Sequence, residues 1–314
     1  MDQFFIVLHQ IGIYIILLAV GYITVKTDIL DETGLGRISK LVMRVLLPAF
    51  IFLNTAEGAT RAGLAQSLLV LPLGAAMYLL LAGLAWLLGR VFHLEGNRRR
   101  VLYAIVMFGN VGFMGIPLLV ELYPENALVY ISLLTILDQG LFWTLGLYCT
   151  KPVTGEKTPL SLAGLKMLIN PALIAVALST ILVLLGWHLP EVVNTTLDKL
   201  GGASMPLALI YIGGMLCLTD VRPVLRCGEL YAMIAVKMIV LPVACYAVMR
   251  VIGVHADMAG TMAFVTGLPS ITTVAMLARQ NGSDADYTVC AAMMTTVACL
   301  VTMPLAALML SVIG

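Results

Sequence analysis

Residues 109–117 read Gly-Asn-Val-Gly-Phe-Met-Gly-Ile-Pro, with three glycines at a spacing of three and a proline at the end. They lie inside the apolar stretch 101–122, which is long enough to cross a bilayer as a helix. An interior glycine costs a helix about 1 kcal/mol and an interior proline about 3 kcal/mol. We therefore predict that this helix unwinds midway. Unwound backbone at membrane depth is tolerated only where protein buries it or water reaches it, so the interruption indicates a functional site.

A second stretch of this kind occurs near the other end of the chain. Residues 266–273 read Thr-Gly-Leu-Pro-Ser-Ile-Thr-Thr inside the apolar segment 258–279. Two interruptions at corresponding positions are typical of the substrate site in transporters built from inverted repeats. The alternative is that Gly109, Gly112 and Gly115 only allow close helix packing, and that Pro117 makes a plain kink.

The composition limits the class of protein. Of 314 residues, 61% are hydrophobic and only 11% charged, and the mean hydropathy is +1.02. A soluble enzyme needs far more polar surface. Eighteen Lys and Arg against 17 Asp and Glu leave no basic excess for nucleic acid. The six cysteines have no pairing pattern and no Cys-x-x-Cys spacing. We therefore predict an all-α polytopic membrane protein without a metal or other cofactor.

Ten stretches are long and apolar enough to span a bilayer of ordinary thickness. Most Lys and Arg residues lie in the loops after spans 1, 3, 5, 7 and 9, so these loops are predicted to be cytoplasmic and both termini non-cytoplasmic. The predicted spans are 4–25, 38–55, 65–90, 101–122, 127–150, 168–187, 196–218, 229–251, 258–279 and 285–312.

Prolines recur in the same order in the two halves of the chain, which indicates an ancient duplication. A unit of five spans is odd-numbered, so its second copy enters the membrane with opposite polarity and an inverted repeat results. We predict a first repeat at 1–152, a short cytoplasmic linker at 153–167 and a second, inverted repeat at 168–314. The matching prolines are Pro48 with Pro206, Pro72 with Pro242, and Pro117 with Pro269.

Each interruption is expected to expose the N-terminus of a half-helix. Pro117 and Pro269 suit the first helical position because they have no N–H to leave unpaired. A helix N-terminus carries about half a positive charge and free amide donors. Two such ends facing each other would bind an anion, most simply a carboxylate. Side-chain hydrogen bonds would come from Asn110, Ser270, Thr272 and Thr273.

Three ionisable residues fall inside predicted spans, and such residues are functional candidates by default. Asp138 is either a proton-carrying carboxylate or a structural acid satisfied by a neighbouring helix. Lys237 either extends its stem to the cytoplasmic face or serves as a counter-ion, with Asp138 as the partner to test first. Arg44 enters span 2 from the predicted cytoplasmic side and is expected to mark the membrane interface.

These motifs resemble the auxin efflux carrier family of plants and bacteria, and the resemblance runs through the whole chain. It implies ten helices in two inverted repeats, a scaffold part, and a transport part whose broken helices 4 and 9 cross at their prolines. Asn110 would contact the substrate, and Gln139 would line the same cavity. The resembling residues are Leu47-Pro48, Asn110 to Pro117 with Leu118, Gln139 with Trp143, Lys237 with Pro242, and Gly267-Leu268-Pro269.

The resemblance also implies a cargo and a mechanism. Members of this family move organic anions, auxin in plants and small carboxylates such as malate or malonate in bacteria. An elevator-type alternating-access mechanism is expected, and the short linker favours a carrier of the bacterial inner membrane. The expected partners are a small organic anion, the lipid bilayer and, through scaffold helices, a second copy of the chain.

No enzyme motif accompanies these features. The sequence has neither HExxH nor a P-loop, so transport would be driven by a gradient rather than by ATP hydrolysed in this chain. A membrane sensor that binds a small ligand without moving it remains the alternative. Candidate substrate-binding residues are Asn110, Gly112, Gly115, Pro117, Gln139, Gly267, Pro269, Ser270, Thr272 and Thr273, and the candidates for proton or ion coupling are Asp138 and Lys237.

The predicted orientation is open to a direct measurement. Single cysteines at positions 98 and 283, in a chain stripped of its six native cysteines, are both expected to react only with reagent on the cytoplasmic side. Labelling of either position from the other side would overturn the orientation.

Overall fold

The computed structural model describes residues 2–58, 67–123, 127–153, 171–187, 189–218, 220, 222 and 224–313. Within these ranges the fold is all-helical, apart from one isolated β-bridge between residues 109 and 270. Of the predicted linker only Val153 is among the described residues; 154–167 lie outside them, as do the first residues of predicted span 6.

Helices occupy most of the first half. They are α1 (Asp2–Lys26), α2 (Glu32–Leu41), a π-helical turn (Val42–Leu46), α3 (Leu47–Gly58), α4 (Val70–Val91), α5 (Gly96–Met107), a second π turn (Val111–Gly115), α6 (Ile116–Leu122), α7 (Ala127–Leu141), a third π turn (Phe142–Gly146) and α8 (Leu147–Cys149).

The second half of the chain is likewise made of helices joined by short turns. Its helices are α9 (Pro171–Leu185), α10 (Glu191–Gly202), α11 (Ser204–Leu218), a short 3₁₀ turn (Val224–Arg226), α12 (Gly228–Ala235), a fourth π turn (Val236–Val240), α13 (Leu241–Val251), α14 (Ala256–Gly267), α15 (Thr272–Gln280) and α16 (Ala285–Ile313).

Six described helical segments are long and apolar enough to cross a membrane, so the chain is a multi-pass membrane protein, as predicted. Large apolar side chains such as Leu79 and Ile16 are 75% and 64% exposed and suit contact with lipid rather than water. The six segments are Glu32–Glu57, Val70–Val91, Val129–Cys149, Glu191–Leu218, Gly228–Val251 and Ala285–Leu310.

For two spans, the predicted start lies several residues after the first residue of the helix. The helix of span 2 starts at Glu32 rather than 38, and that of span 7 starts at Glu191 rather than 196. Polar first turns are the reason, because hydropathy does not register them. At α2 the carboxylate of Asp31 caps the helix by accepting the N–H of Gly34 at 2.6 Å.

Three of the π turns have a common cause. Each is followed at its second residue by a proline: Pro48, Pro117 or Pro242. A proline has no N–H for the carbonyl four residues earlier and its ring crowds that carbonyl, which in all three cases lies inside the π turn. The helix therefore widens locally and continues past each proline.

Two backbones approach each other closely where α1 packs along α11. Gly213 of α11 lies against the carbonyl of Leu18, and Gly21 of α1 lies against the carbonyl of Ile210. Each helix therefore contributes one glycine to this contact. A β-carbon at either glycine would overlap the opposing carbonyl group. Close contact of this kind is a main source of helix association in lipid.

A Gly213→Ala substitution is therefore expected to lower the stability by about 1–3 kcal/mol, because the two helices must move apart. Thermal unfolding of the detergent-purified protein would measure it. The matched control is Gly83→Ala on α4, where the new methyl group meets no atom within 4 Å. Equal melting temperatures for both variants would contradict the close contact between α1 and α11.

Candidate functional site

The two sequence interruptions meet each other in space. The first lies at residues 108–110, between α5 and its following π turn, and the second at 268–271, between α14 and α15. The N–H of Asn110 donates to the carbonyl of Pro269 at 2.8 Å, and the N–H of Ile271 donates to the carbonyl of Phe108 at 3.1 Å. The two broken helices are thus joined by a short antiparallel bridge at their crossing.

Leu268 fills the angle between the two interruptions. A β-carbon on Gly115 would lie 2.9 Å from its Cδ1, and one on Gly109 would lie 3.0 Å from its Cβ. These two glycines therefore allow one broken helix to press against the other, as the packing alternative proposed. Gly267 is equally confined, because its β-carbon would lie 2.7 Å from Pro242 Cγ.

The carbonyl of Ile105 marks the end of the first half-helix. In an uninterrupted helix it would accept the N–H of residue 109. Here it accepts the hydroxyl of Ser270 at 2.9 Å instead, and Lys237 Nζ lies 3.5 Å away. Ser270 is fixed further by its N–H, which donates to Thr295 Oγ1 at 3.2 Å. Side chains from the second interruption and from the fourth π turn thus satisfy a carbonyl that the first interruption freed.

Lys237 is completely buried, which argues against the alternative in which its stem extends to the cytoplasmic face. A cation beside the C-terminus of α5 is also favoured by the dipole of that half-helix. Among the described residues, no ion pair within 4.0 Å joins Lys237 to Asp138, so the two side chains act on each other only over a longer distance.

A small cavity, with four polar residues in an otherwise apolar lining, lies between α3 and the crossing. Its volume is about 10 Å³, room for a single water molecule. One wall comes from α3 and the other from the interrupted helices and α7. The lining residues are Leu47, Phe50, Ile51, Asn54, Asn110, Gly112, Ile116, Thr135, Gln139 and Ile271.

A buried chain of hydrogen bonds leads from this cavity to Asp138. The Gln139 amide, which lines the cavity, donates to Asp138 Oδ2 at 2.9 Å. Tyr78 on α4 donates its hydroxyl to the other oxygen, Asp138 Oδ1. Trp143 donates its indole N–H to Gln139 Oε1 at 3.0 Å. The carboxyl group is therefore held by Tyr78 of the neighbouring helix α4 and by Gln139 of its own helix α7. The side chain of Gln139 links it to the cavity.

The predicted site residues divide into two groups. Asn110, Gly112 and Gln139 line the cavity. The others surround the crossing: Gly115, Gly267 and Ser270 in the contacts described above, Pro269 through its carbonyl, Pro117 as the second residue of α6, and Thr272 and Thr273 as buried residues at the start of α15.

Neither proline stands directly at the start of its half-helix. A π turn precedes Pro117, so the helical segment begins at Val111 and the interruption lies further upstream than predicted. Pro269 lies within the interruption, three residues before Thr272 begins α15. The two prolines therefore lie near the crossing, but neither is the first residue of a half-helix.

Sequence reasoning missed four residues of the site. Asn54 lines the cavity and donates its side-chain amide to the Phe50 carbonyl at 2.8 Å. Thr135 also lines the cavity, and its hydroxyl has no hydrogen-bond partner among the residues described. Phe50 and Tyr78 carry no polar signal in the sequence. The side-chain amide of Asn54 within an apolar span is the sequence feature that could have identified one of them.

The fold and this cavity define a class of protein. Two interrupted helices that meet inside a multi-pass helical protein, beside a cavity lined in part by amide and hydroxyl side chains, are features of membrane transporters.

Comparison with known proteins agrees with this class. A family described as "Membrane transport protein" matches residues 6–307. The chain therefore belongs to this transporter family, the auxin efflux carrier family that the sequence motifs resemble.

Two relatives align along most of their length. An uncharacterized transporter of Methanothermobacter thermautotrophicus is 24% identical over 292 residues, which cover 93% of this chain and 94% of the relative. An uncharacterized transporter of Methanocaldococcus jannaschii is 26% identical over 265 residues, covering 82% and 84%. The chain is similar to both over nearly the whole fold.

Proposed function

We propose that this transporter carries small organic anions, carboxylates such as malate, malonate or auxin-like acids, as a secondary-active or facilitative carrier. The observation that carries the proposal is the position of the cavity, which borders the starts of both half-helices at Asn110–Gly112 and Ile271. Helix starts offer amide donors and positive potential, which favour an anion without any cationic side chain.

The side chains around the cavity complement a carboxylate. Asn110 and Gln139 supply amide groups, and the unpartnered Thr135 hydroxyl supplies a further donor. We assign substrate contact to these three and to Gly112. Gly115, Pro117, Gly267, Pro269, Ser270, Thr272 and Thr273 would support the site by holding the crossing together.

The architecture we propose is ten membrane helices in two inverted repeats, 1–152 and 168–314, joined by the linker 153–167. Reciprocal packing supports it. α1 of the first repeat packs on α11 of the second, and α9 of the second packs on α3 of the first. Likewise α5 packs on α16 and α14 packs on α7. An inverted repeat requires such exchanged pairs.

An elevator-type alternating-access mechanism fits the two walls of the cavity. α3 would belong to a static scaffold, and the crossing with α7 would belong to a moving transport part. A cavity with room for one water cannot hold a dicarboxylate, so the substrate must enter when these walls separate. Phe50 packs near Gly112 across this boundary, and a β-carbon on Gly112 would lie 3.0 Å from its ring.

Contacts at the end of α15 would keep one side closed. Arg279 pairs with Glu32 at the start of α2, and Gln280 Nε2 donates to Ser39 Oγ at 3.3 Å. These residues join the proposed transport part to the proposed scaffold. By the loop charges this is the cytoplasmic side, with both termini on the other side of a bacterial inner membrane and scaffold helices free to form a homodimer.

Asp138 is the proposed site of proton coupling. Its carboxylate is one side chain away from the cavity, so a negative charge there opposes binding of an anion. Protonation removes that repulsion, and proton and anion therefore favour each other's binding. Lys237 would stabilise the crossing and add positive potential below it.

An Asn110→Ala substitution tests the anion site. The backbone N–H that bonds Pro269 remains, so the crossing should persist. Loss of an amide donor to a charged group is expected to weaken binding by about 10- to 100-fold. Affinity of the purified protein and uptake of radiolabelled malate and malonate into proteoliposomes would measure it.

The control is the same truncation at Asn194 on α10, which lies outside the cavity lining. Unchanged affinity in Asn110→Ala would contradict the site. Saturable binding by the unsubstituted protein, with no accumulation or exchange under any gradient, would instead identify a sensor and overturn the proposed transport.

An Asp138→Asn substitution tests the coupling. The amide keeps the size of the side chain but cannot exchange a proton, so the pH dependence of net uptake should disappear while counterflow exchange continues. Rates of uptake against external pH would measure it. Tyr78→Phe is the control, because it removes a hydrogen bond to the carboxyl group and leaves the titratable group in place. A pH dependence retained by Asp138→Asn would disprove the role.

A further inference from the structure

A surface groove of about 410 Å³ opens where α5 begins and α8 ends. It is separate from the cavity at the crossing and shares no lining residue with it. Two arginines and two tyrosines dominate its lining, and the remaining residues are small or apolar. The lining residues are Gly96, Arg99, Arg100, Tyr103, Tyr148, Cys149 and Val153.

The walls of the groove are fixed by contacts between the two helix ends. Arg100 Nη1 donates to the carbonyl of Pro152 at 3.2 Å, and its guanidinium carbon lies 3.8 Å from the centre of the Tyr148 ring. The N–H of Val153 donates to Asn97 Oδ1 at 2.6 Å. Arg100 is therefore held in place before any ligand arrives, which lowers the cost of binding.

Arg99 provides an available positive charge at the rim. Its side chain is exposed, and its guanidinium has no acceptor in the part of the chain that the structure describes. The next arginine upstream differs, because Arg98 is neutralised by a 2.6 Å ion pair with the buried Glu229. The two lining arginines are thus the cations that this groove offers to an anion.

A second recess on the other side of Arg99 is a poorer anion site. Its volume is about 300 Å³, and Glu95 is part of its lining together with Arg90 and His93. A carboxylate beside a phosphate is unfavourable. Since the lining of the first groove includes no acidic side chain among the residues that the structure describes, that groove is the better site for an anion.

The surface around the groove places it at the edge of the membrane. Leu145 and Tyr148 are 46% and 53% exposed, and they belong to the apolar helix Val129–Cys149 that is long enough to cross a bilayer. The charged first turn of α5 lies beside the end of this helix. Tyrosine and arginine at such a boundary are typical of the headgroup level.

We propose that this groove binds the phosphate of an anionic phospholipid from the surrounding bilayer. Arg99 and Arg100 contact the phosphate, because a guanidinium presents paired donors to its oxygens. The tyrosines contact the glycerol region, and an acyl chain follows the exposed face near Leu145. The apolar share of the lining favours a lipid over a free soluble phosphate, which would leave that surface in water.

The experiment is a titration of the detergent-purified protein with phosphatidylglycerol, followed by native mass spectrometry, with phosphatidylcholine as the neutral reference. The Arg99→Gln/Arg100→Gln variant is expected to bind phosphatidylglycerol about 10- to 30-fold more weakly, and phosphatidylcholine as before. The charge-matched control is Arg222→Gln/Arg226→Gln, which removes two exposed arginines outside the groove and should change neither affinity.

Three results would overturn the proposal. One is equal phosphatidylglycerol affinity in the unsubstituted protein and the groove variant. Another is an equal loss in both double variants, since net charge alone would then explain it. The third is competition by inorganic phosphate at the concentration of the lipid, which would assign the site to a soluble anion. If the Gln variant unfolds, Arg99→Lys/Arg100→Lys keeps the charge and should retain binding in part.

Discussion

Backbone groups inside a lipid bilayer must find partners within the protein, and this constraint governs the centre of the molecule. An interrupted helix leaves N–H and carbonyl groups unpaired. Here each interruption supplies the partners of the other, through Asn110 with Pro269 and Ile271 with Phe108. Neither break would be tolerated alone at that depth. The two halves of the chain are therefore bound to fold together, although the paired residues are some 160 positions apart.

The same requirement explains the polar residues nearest the crossing. The freed carbonyl of Ile105 is reached by Ser270 and approached by Lys237, both from the second half of the chain. A lysine is costly to bury, and a carbonyl at the negative end of a half-helix is a partner that offsets part of this cost. The need to satisfy this carbonyl thus explains the burial of Lys237. It does not explain the burial of Asp138, whose carboxyl group adjoins the cavity.

Much of this arrangement could be predicted from the sequence, because glycine and proline change backbone behaviour wherever they stand. The helical membrane fold and both interruptions followed from composition and from two short stretches. Side-chain partners did not follow. Tyr78 lies 60 residues from Asp138, and only the packing of α4 on α7 brings them together. The π turns were equally hidden, because a proline predicts strain in a helix without saying whether the helix stops or widens.

The small volume of the cavity has a consequence for the membrane potential. A pathway that conducts protons or ions needs a continuous file of water, and the cavity has room for about one molecule. Phe50 and Asn54 line this space on one side, and the interrupted helices line it on the other. A cavity of this size holds no continuous file of water, so in this conformation it offers no path along which protons or ions could leak.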